Sequence, residues 1–397
     1  MNLLTLLDMV AGGNGDITLL GTLDDGLTGA QLQQRSLAGG GIVRESGADT
    51  VIFLGGNGPA FPVALFASAY AGVPFLPINF RLSGDQIDEI ISRSAHPLIV
   101  TDDPERAGAP NAITTADFLA RTSAAPPLAD PADPDVEDIA VLLMTSGTTA
   151  APKSAVLRHR HLTSYVLGSV EFASAEATDA TIVSVPPYHI AAVANLLSNL
   201  FAGRRIVYLD QFTPRQWLDT VRGEKITNAM VVPTMLVRIV RELVAAGETG
   251  PPTLKGLSYG GAKISAPALA HALELFPHTG FVNAYGLTET ASSIAVLGPD
   301  DHRDALASDD PDVRARLASV GRALPSVEIE VHDFDGSPCA PGVVGDIVVR
   351  GPQVAGEYLE AGSLVDADGW FPTRDLGYLD ADGFLFVQGR ADDTIIR

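Results

Sequence analysis

The residues best suited to chemistry lie in one run, Met144-Thr-Ser-Gly-Thr-Thr-Ala-Ala-Pro-Lys153, where hydroxyl side chains, a glycine and a lysine stand close together. Backbone N–H groups in such a turn can converge on an anion, and the lysine supplies a point charge. The spacing is not the Walker pattern, because no Gly-Lys-Ser/Thr closes the loop onto a helix. An apolar stretch, Asp138–Met144, precedes the run and predicts a strand. The run therefore predicts a loop for phosphate oxygens, with a plain surface loop as the alternative.

Two later segments favour the phosphate interpretation. The first is Asn283-Ala-Tyr-Gly-Leu-Thr-Glu289-Thr, and the second is Trp370-Phe-Pro-Thr-Arg-Asp375, which is followed by Gly389-Arg-Ala-Asp-Asp-Thr-Ile-Ile396. Together, in this order, the three segments resemble the signature of the acyl-adenylate-forming (AMP-binding) superfamily. That family comprises acyl- and aryl-CoA ligases, the adenylation domains of peptide synthetases and firefly-luciferase-like enzymes. The resemblance covers nearly the whole chain.

The resemblance implies a role for each residue of the first run. The β- and γ-phosphates of ATP would be gripped by Thr145, Ser146, Gly147, Thr148, Thr149 and Lys153. The sequence departs from the family pattern at Ala150 and Ser154, where glycines are common. If position 150 needs a positive φ, alanine costs on the order of 1 kcal/mol. We therefore expect altered closure of the loop at these two positions.

The other two segments resemble the nucleotide and metal sites of the family. Glu289 would bind Mg²⁺, and Thr288 would reach the α-phosphate. Tyr285 would stack on adenine, and Asp375 would accept both ribose hydroxyls. The remaining nucleotide contacts implied are the turn Gly260, Gly261 and Ala262, the adenine-edge residue Asn283, Gly286, and Arg390 at the ribose. Asp392 matches the family's hinge residue, and Lys153, Thr288 and Glu289 would be the catalytic residues.

The pocket for the acid is predicted from a different group of residues. His189 matches the aromatic position that lines the acyl pocket of CoA ligases, and a half-buried structural histidine is the alternative. Small or apolar residues would complete the pocket, namely Ile190, Ala191, Ala284, Gly286, Ala291 and Ser292. No acid follows His189 to hold an α-ammonium group, and an unpaired buried ammonium is costly. We therefore expect an aryl or a short- to medium-chain fatty acid. The pair His159 and His161, which follows the phosphate loop, is interpreted as a surface patch at the start of a helix and not as a pair of metal ligands.

Alternation of strand and helix patterns predicts the architecture that positions these residues. Apolar strand-like runs alternate with helical patterns from Thr50 to Ala246, which favours parallel sheets covered by helices. We expect two doubly wound α/β subdomains, at residues 1–175 with the phosphate loop and at residues 176–318. Alternating β-branched runs and two Asp-Ala-Asp-Gly turns, Asp366–Gly369 and Asp380–Gly383, predict a small β-barrel-like subdomain at residues 319–388. Residues 389–397 would begin the hinge.

Composition narrows the class of protein and its partners. The chain has 397 residues and a formal charge of −22, from 26 Lys and Arg against 48 Asp and Glu. This balance repels nucleic-acid backbones and anionic membranes, so neither is expected as a partner. A single cysteine, Cys339, excludes disulfides and a structural zinc site within the chain and favours a reducing, cytoplasmic compartment. The uncharged stretch from Thr50 to Phe80 contains four prolines, which argue against a transmembrane helix.

The resemblance leads to one leading function and two alternatives. We expect ATP-dependent activation of a carboxylic acid to an acyl-adenylate with release of pyrophosphate, followed by transfer to CoA. The alternatives are a free-standing adenylating enzyme that loads a carrier protein or activates an unusual small acid, and a catalytically silent nucleotide- or acyl-binding protein. Family members continue for roughly another hundred residues. The family's small C-terminal domain, with a lysine that contacts the reacting carboxylate, is therefore expected to be absent from these 397 residues.

Overall fold

The computed structural model describes residues 1–103, 105, 110–145 and 153–391. The chain divides into two compact units. The first unit comprises Met1–Gln211 together with the short segment Glu357–Gly362, and the second comprises Phe212–Gly356 and the chain from Ser363 onward. The subdomain boundaries predicted at residues 175/176, 318/319 and 388/389 stay a prediction.

The larger sheet of the first unit is mostly parallel. Lys153–Arg158 is antiparallel to both of its neighbours, and the pairs from Ile139–Thr145 to Ala112–Thr114 run parallel. The strands of this sheet in spatial order are Gly362–Ser363, Glu357–Tyr358, Lys153–Arg158, Ile139–Thr145, Phe75–Pro77, Thr50–Leu54, Pro97–Thr101 and Ala112–Thr114. The central strands are continuous apolar runs because helices cover a parallel sheet on both faces. This sheet carries both ends of the predicted phosphate loop.

A second group of strands in the first unit follows the order Ala180–Val183, Arg205–Tyr208, Thr18–Leu20 and Leu27–Thr28. Within the described residues, the helices of this unit are Leu3–Asn14, Gly29–Glu45, Ala60–Ala71, Gly84–Ile91, Thr115–Ala124, His159–Ser169 and Ile190–Ala202. Local chemistry explains where helices begin. Ser83 caps Gly84–Ile91, with its hydroxyl accepting from the Gln86 N–H and the Gln86 side chain returning to Ser83, which is the capping-box arrangement. The uncharged stretch from Thr50 to Phe80 contains a strand, a buried 12-residue helix and a second strand.

In the second unit, three parallel strands are followed by an antiparallel edge. The order is Asn228–Val231, Gly256–Gly260, Gly280–Leu287, Ser292–Leu297 and Arg322–Ala323. Its helices are Pro214–Gly223, Pro233–Ala246, Ala266–Leu275, Pro299–Ala307 and Pro311–Ala315, with 3₁₀ turns at Thr288–Thr290 and Arg316–Ala318. Each of these five described helices has a proline in its first two positions, where the fixed φ of proline suits a first helical turn. The predicted α/β class with parallel sheets is confirmed.

The predicted β-barrel-like region is an open antiparallel sheet, so the barrel expectation was wrong. Its order is Glu328–His332, Gly345–Arg350, Phe371–Leu379 and Leu385–Arg390. Within the described residues, no pairing joins the first of these strands to the last. Four short strands with one apolar face pack that face on a core that includes Val331, Ile347, Val349 and Leu385. Closing such a sheet would need more strands than this segment supplies.

Turns of one kind recur in this sheet. Asp366 and Asp380 each accept two backbone N–H groups, two and four residues ahead, through one carboxylate oxygen. Asp333, in Asp-Phe-Asp-Gly, does the same. The fourth residue of each turn is a glycine with φ between 80° and 86°, a conformation that disfavours side chains. The two turns predicted from sequence are confirmed, and a third, unnoticed one has the same geometry.

No helix in the described ranges has the length and apolar character needed to cross a bilayer.

Candidate active site

The two ends of the predicted phosphate loop form a hairpin stem in the first unit. Thr145 ends the strand Ile139–Thr145, Lys153 begins the strand Lys153–Arg158, and the two residues are paired in antiparallel register. The Thr145 hydroxyl donates to the Lys153 carbonyl oxygen at 3.4 Å. The predicted phosphate contacts Ser146, Gly147, Thr148 and Thr149, and Ala150 beside them, lie outside the described residues. The described part of the loop is therefore its stem.

Positive charge around this stem is partly balanced by carboxylates. Arg158 Nη2 lies 2.8 Å from Glu357 Oε1, and Arg160 Nε lies 2.7 Å from Glu137 Oε1. The Lys153 ammonium lies 5.4 Å from the ring centroid of Tyr358, within the range of a cation–π contact. The stem thus presents a lysine held beside an aromatic ring.

The two histidines that follow are buried, and the predicted surface patch was wrong. His159 and His161 are 2% and 1% exposed. Nδ1 of His159 accepts from the Leu3 N–H, and Nδ1 of His161 accepts from the Arg158 N–H, each at 3.2 Å. Burial lowers the pKa of His159 to about 4 and that of His161 to about 3. Both rings are neutral and have a structural role, because Nδ1 of each accepts a backbone N–H in the protein interior.

His189 lies at the start of a helix in the first unit. It is the N-cap of Ile190–Ala202, so the predicted pocket residues Ile190 and Ala191 occupy the first turn. The His189 ring is exposed, and its centroid lies 4.7 Å from that of Tyr188. The Tyr188 ring in turn meets the Phe80 ring edge to face at 5.5 Å. His189 therefore packs against a cluster of aromatic rings. The predicted role of His189 in binding the acid stays a prediction.

In the second unit, two adjacent parallel strands bring a predicted nucleotide residue beside a predicted pocket residue, at the carboxyl end of the strand Gly256–Gly260. Gly260 is paired with Ala284 on the adjacent strand. Gly261 and Ala262 follow as an exposed turn, with φ of +79° at Gly261. The Asn283 amide is partly engaged, because Nδ2 donates to the Ser319 carbonyl at 3.0 Å. Ligands of open α/β sheets bind at such carboxyl ends.

Asp375 is the centre of a buried polar cluster in the same unit. Asp375 is 7% exposed, and it lies opposite Arg390 in the register of the neighbouring antiparallel strand. The Tyr285 hydroxyl donates to Oδ2 at 2.6 Å, and Arg390 Nε lies 3.1 Å from Oδ1. Each carboxylate oxygen has two acceptor sites. Both oxygens of Asp375 can therefore accept another hydroxyl while keeping these partners.

The same cluster fixes the state of Tyr285. Burial, reinforced by the Asp375 carboxylate, raises the pKa of Tyr285 far above its ordinary value. The phenol therefore stays protonated and remains a hydrogen-bond donor to Asp375. The ring also packs against the apolar core of the antiparallel sheet, so Tyr285 links the predicted base and ribose positions.

Thr373 and Arg374 shape the backbone before Asp375. The Thr373 hydroxyl oxygen accepts from the Asp375 N–H at 3.1 Å, and Arg390 Nη1 donates to the Thr373 carbonyl at 3.3 Å. Arg374 has φ of +62°, which costs a non-glycine residue on the order of 1 kcal/mol or more. The fold holds this conformation next to a predicted ligand contact. Thr373 was missed from sequence, although a threonine hydroxyl can bond the backbone two residues further along the chain.

Thr288 and Glu289 lie in the 3₁₀ turn that joins two antiparallel strands. The Glu289 carbonyl accepts from the N–H groups of Ala355 and Gly356 at 2.9 and 3.0 Å, and Gln353 Nε2 donates to the Thr290 carbonyl at 3.0 Å. These bonds fix the turn in place. Glu289 itself is 8% exposed.

A magnesium ion would fit a single carboxylate at this turn. In the part of the chain that the structure describes, no three His, Cys, Asp or Glu residues are close enough to form a metal cage. Mg²⁺ usually binds through one or two carboxylates plus substrate phosphates and waters. Glu289, as one acidic residue in a fixed turn, satisfies the protein's share of that requirement.

The pocket residues Ala284, Gly286, Ala291 and Ser292 lie on or beside the same pair of strands. Ala291 and Ser292 have φ of +53° and +116°. The backbones approach so closely that a Cβ at Gly286 would lie 1.9 Å from the Ser292 carbonyl oxygen. The hairpin is therefore tight and strained where small residues were predicted.

The structure thus gathers Asp375, Arg390 and Tyr285 into one cluster and places Gly260 beside Ala284. It keeps Thr145 opposite Lys153 in the other unit. The predicted hinge residue Asp392 lies outside the described residues. Contacts that sequence reasoning missed include Tyr358 and Glu360 beside the loop stem, about 200 residues away along the chain. No local pattern marks such distant partners.

Several known proteins are similar to this chain in sequence or in structure. Feruloyl-CoA synthase of Amycolatopsis sp is 30% identical over 381 residues, which cover 93% of this chain and 74% of that enzyme. The fatty acid–[acyl-carrier-protein] ligase ScoC of Streptomyces coeruleorubidus is 30% identical over 367 residues, which cover 88% of this chain and 68% of that protein. The o-succinylbenzoate coenzyme A synthetase of Bacillus subtilis, solved in complex with AMP, is similar with a TM-score of 0.84 and 25% identity. That likeness covers 98% of this chain and 79% of the other.

The family model described as AMP-binding enzyme matches residues 8–359. Because that match spans most of the 397 residues, the chain belongs to the AMP-binding enzyme family.

Proposed function

We propose that the protein is an AMP-forming acid–CoA ligase. In the first step, a carboxylate oxygen of the acid attacks the α-phosphorus of ATP, and pyrophosphate leaves. In the second step, the thiol of CoA attacks the acyl carbon, and AMP leaves with the electrons of the broken acyl–oxygen bond. CoA ligases of the AMP-binding family use ATP, Mg²⁺ and CoA. The single observation that carries the proposal is the Asp375 cluster with Tyr285 and Arg390.

The Asp375 cluster supports nucleotide binding by its chemistry. A buried carboxylate accepts strong charge-assisted bonds from hydroxyl donors such as those of a ribose. Arg390 and Tyr285 hold both carboxylate oxygens in fixed directions, so ordering them on binding costs little entropy. We propose that the adenine lies near Tyr285 and the turn Gly260–Ala262, with Asn283 at its edge.

The remaining roles follow the demands of the reaction. Two anions must be aligned and the charge developing on phosphate must be stabilised. We propose that Lys153, with Thr145 and the loop of residues 146–149, grips the β- and γ-phosphates. Thr288 contacts the α-phosphate, and Glu289 supplies a carboxylate ligand for Mg²⁺.

We propose an aryl or a short- to medium-chain fatty acid as the substrate. The segment after His189 reads Ile-Ala-Ala-Val and offers no carboxylate for an α-ammonium group. Small residues at Ala284, Ala291 and Ser292 are compatible with an apolar acyl group. Feruloyl-CoA synthase, an aryl relative, and ScoC, a fatty-acid relative, support both classes of acid.

A carrier protein is the second candidate for the acyl acceptor. The relationship to ScoC, whose name gives an acyl-carrier protein as its substrate, favours this candidate. A free-standing adenylating enzyme of this kind would make the same acyl-adenylate and differ only in the thiol that attacks it. We propose a cytoplasmic location for either enzyme, supported by the single cysteine of the chain.

The test is pyrophosphate release by the full-length protein with ATP and a panel of aryl, fatty and amino acids. Reactions would run without a thiol, with CoA and with a phosphopantetheinylated carrier protein. We expect release with an aryl or a fatty acid, accelerated by CoA. Acceleration by the carrier alone would favour the second candidate. Release with none of the acids, despite ATP binding, would leave a silent binding protein and overturn the proposal.

The site assignment is tested separately with Glu289→Gln. We expect this change to lower the rate of pyrophosphate release about 100-fold or more, because a metal ligand is lost. Glu274→Gln, at an exposed residue of the second unit, is the matched control and should leave the rate unchanged. Equal rates for the two variants would remove Glu289 from the proposed site.

A further inference from the structure

The segment of residues 357–362 lies against the stem of the predicted phosphate loop. Its strand Glu357–Tyr358 is antiparallel to Lys153–Arg158, with Tyr358 opposite Ala155. The Leu359 N–H donates to the Ser154 carbonyl at 2.9 Å. The stem is therefore flanked by the other half of its own hairpin on one side and by this segment on the other.

Glu360 holds Ser154 at two points. The Ser154 N–H donates to Glu360 Oε2 at 2.9 Å, and the Ser154 hydroxyl donates to Oε1 at 2.8 Å. Arg93 Nη1 lies 3.0 Å from the same Oε1, and Arg93 Nη2 lies 3.2 Å from Glu89. Ser154 is only 3% exposed. A carboxylate that accepts charge-assisted bonds from the backbone and the side chain of one residue fixes that residue strongly.

The residue fixed in this way is the neighbour of Lys153. A lysine side chain has about 2 kcal/mol of rotamer entropy to lose when it is fixed on a ligand. A lysine that is already held in place before the phosphates bind loses less of it. Tyr358, two residues before Glu360, places its ring 5.4 Å from the Lys153 ammonium. Backbone and side chain of Lys153 are thus both constrained by one short segment.

We propose that Glu360 is a positioning residue, which acts through Ser154 to hold Lys153 for the phosphates of ATP. The proposal rests on the proposed function. The proposal also explains why serine can stand at position 154, where glycine is common in the family. A glycine would offer Glu360 only its backbone N–H. The hydroxyl supplies a second bond and compensates for the residue's departure from the family pattern.

The test compares Glu360→Gln with Glu357→Gln in the full-length protein. Both changes remove one negative charge from the same segment. Glu357 pairs with Arg158 at the far end of the strand, so it is a matched control for general loss of structure. The dissociation constant of ATP would be measured by titration calorimetry, which needs no acid substrate. We expect Glu360→Gln to weaken ATP binding about 10-fold, because a charge-assisted bond is lost, and Glu357→Gln to change it less than twofold.

Two further measurements separate positioning from stability. Urea unfolding of both variants shows whether they lose similar stability. In the Ser154→Ala background, Glu360→Gln should have a smaller effect on ATP binding, since one shared bond is already missing. Equal weakening of ATP binding by Glu357→Gln and Glu360→Gln, or additive effects of Ser154→Ala and Glu360→Gln, would overturn the proposal.

The proposed function can fail independently of this inference. If the protein binds ATP but releases no pyrophosphate with any acid, the ligase proposal fails, and the ATP affinities of the variants still decide the role of Glu360. If the protein binds no ATP, the role of Glu360 is overturned as well.

Discussion

Asp375 lies at the centre of a buried polar cluster, and we propose that it also contacts the ribose of ATP. Its carboxylate receives the Tyr285 hydroxyl and the Arg390 guanidinium, and its backbone N–H donates to Thr373. The two partners hold this buried side chain in one direction. The sequence motif predicts Asp375 and Arg390 as ribose contacts, but it could not predict the hydrogen bond from Tyr285, because this bond joins residues 90 positions apart.

Replacing Asp375 by Asn should reveal this role through ATP affinity. The amide keeps the size of the side chain but loses the charge that pairs with Arg390. We expect ATP binding to weaken about 10- to 100-fold, since bonds to charged groups contribute about 1.5–3 kcal/mol. Asp368→Asn, an exposed acid of the same sheet region, should bind ATP as the unmodified protein does. Titration calorimetry checks both; unchanged affinity for Asp375→Asn would contradict the ribose assignment.

His159 and His161 should make the folded protein sensitive to mild acid. Burial lowers their pKa values to about 4 and about 3, whereas histidines of the unfolded chain titrate near 6.5. Below pH 6.5 the unfolded state therefore binds more protons, and stability present above that pH is lost progressively as the pH falls toward 4. At pH 5 each histidine would cost about 2 kcal/mol.

The measurement for this pair is urea unfolding at pH 7.5, 6 and 5. His161→Gln should weaken the pH dependence, because glutamine cannot protonate yet can accept the Arg158 N–H as a capping-box residue. His278→Gln changes an exposed histidine and should leave the dependence unaltered. A slope unaffected by His161→Gln would show that His161 does not contribute.

At the scale of elements, the strands of the site are placed by contacts that local sequence only partly encodes. The strand Thr50–Leu54 and the capped helix after Ser83 follow directly from apolar runs and a capping signal. The strands after residue 319 were also recognised, but the barrel-like closure predicted for them does not occur. Whether strands close depends on pairing between distant residues, which alternation alone does not specify. The third turn, at Asp333, has the same Asp-x-Asp-Gly pattern and could have been recognised from the sequence. It was missed because phenylalanine stands where the other two turns have alanine.

The hairpin around Glu289 depends on Gly286. A Cβ at this position would lie 1.9 Å from the Ser292 carbonyl oxygen, so Gly286→Ala must displace the backbone of one strand. We expect a loss of more than about 2 kcal/mol in the free energy of unfolding. Gly223→Ala, at the end of a helix with open space around the new methyl group, should be neutral or slightly stabilising. Urea unfolding distinguishes them, and equal stabilities would contradict the close approach.

At the scale of the whole molecule, acidity is the dominant property. A formal charge of −22 creates self-repulsion that disfavours the compact state. The sequence alone establishes this charge, and the structure adds that Arg158, Arg160 and Arg390 are each beside a carboxylate. Binding of a polyanion such as ATP therefore depends on a few local cations placed against the field of the chain.

Salt should stabilise the protein as a whole. Raising NaCl from 10 to 150 mM shortens the Debye length from about 30 Å to about 8 Å, which screens repulsion between distant acids more than it weakens close ion pairs. We expect the melting temperature to rise by about 2–5 °C. Scanning calorimetry measures the change, and KCl of the same ionic strength should give the same rise. A falling melting temperature would show that ion pairs outweigh the repulsion.

Residues 357–362 belong to the first unit although they lie far from it along the chain. This limits how the first unit can be expressed on its own. A product that ends at Gln211 would lack the strand Glu357–Tyr358 and would leave Lys153–Arg158 as a bare edge. Unpaired strand edges invite other chains to pair with them, so this product should aggregate. A circular permutant that carries residues 357–362 back beside Arg158 would restore the missing strand, and a successful dissection of the first unit must therefore splice two separate stretches of the chain.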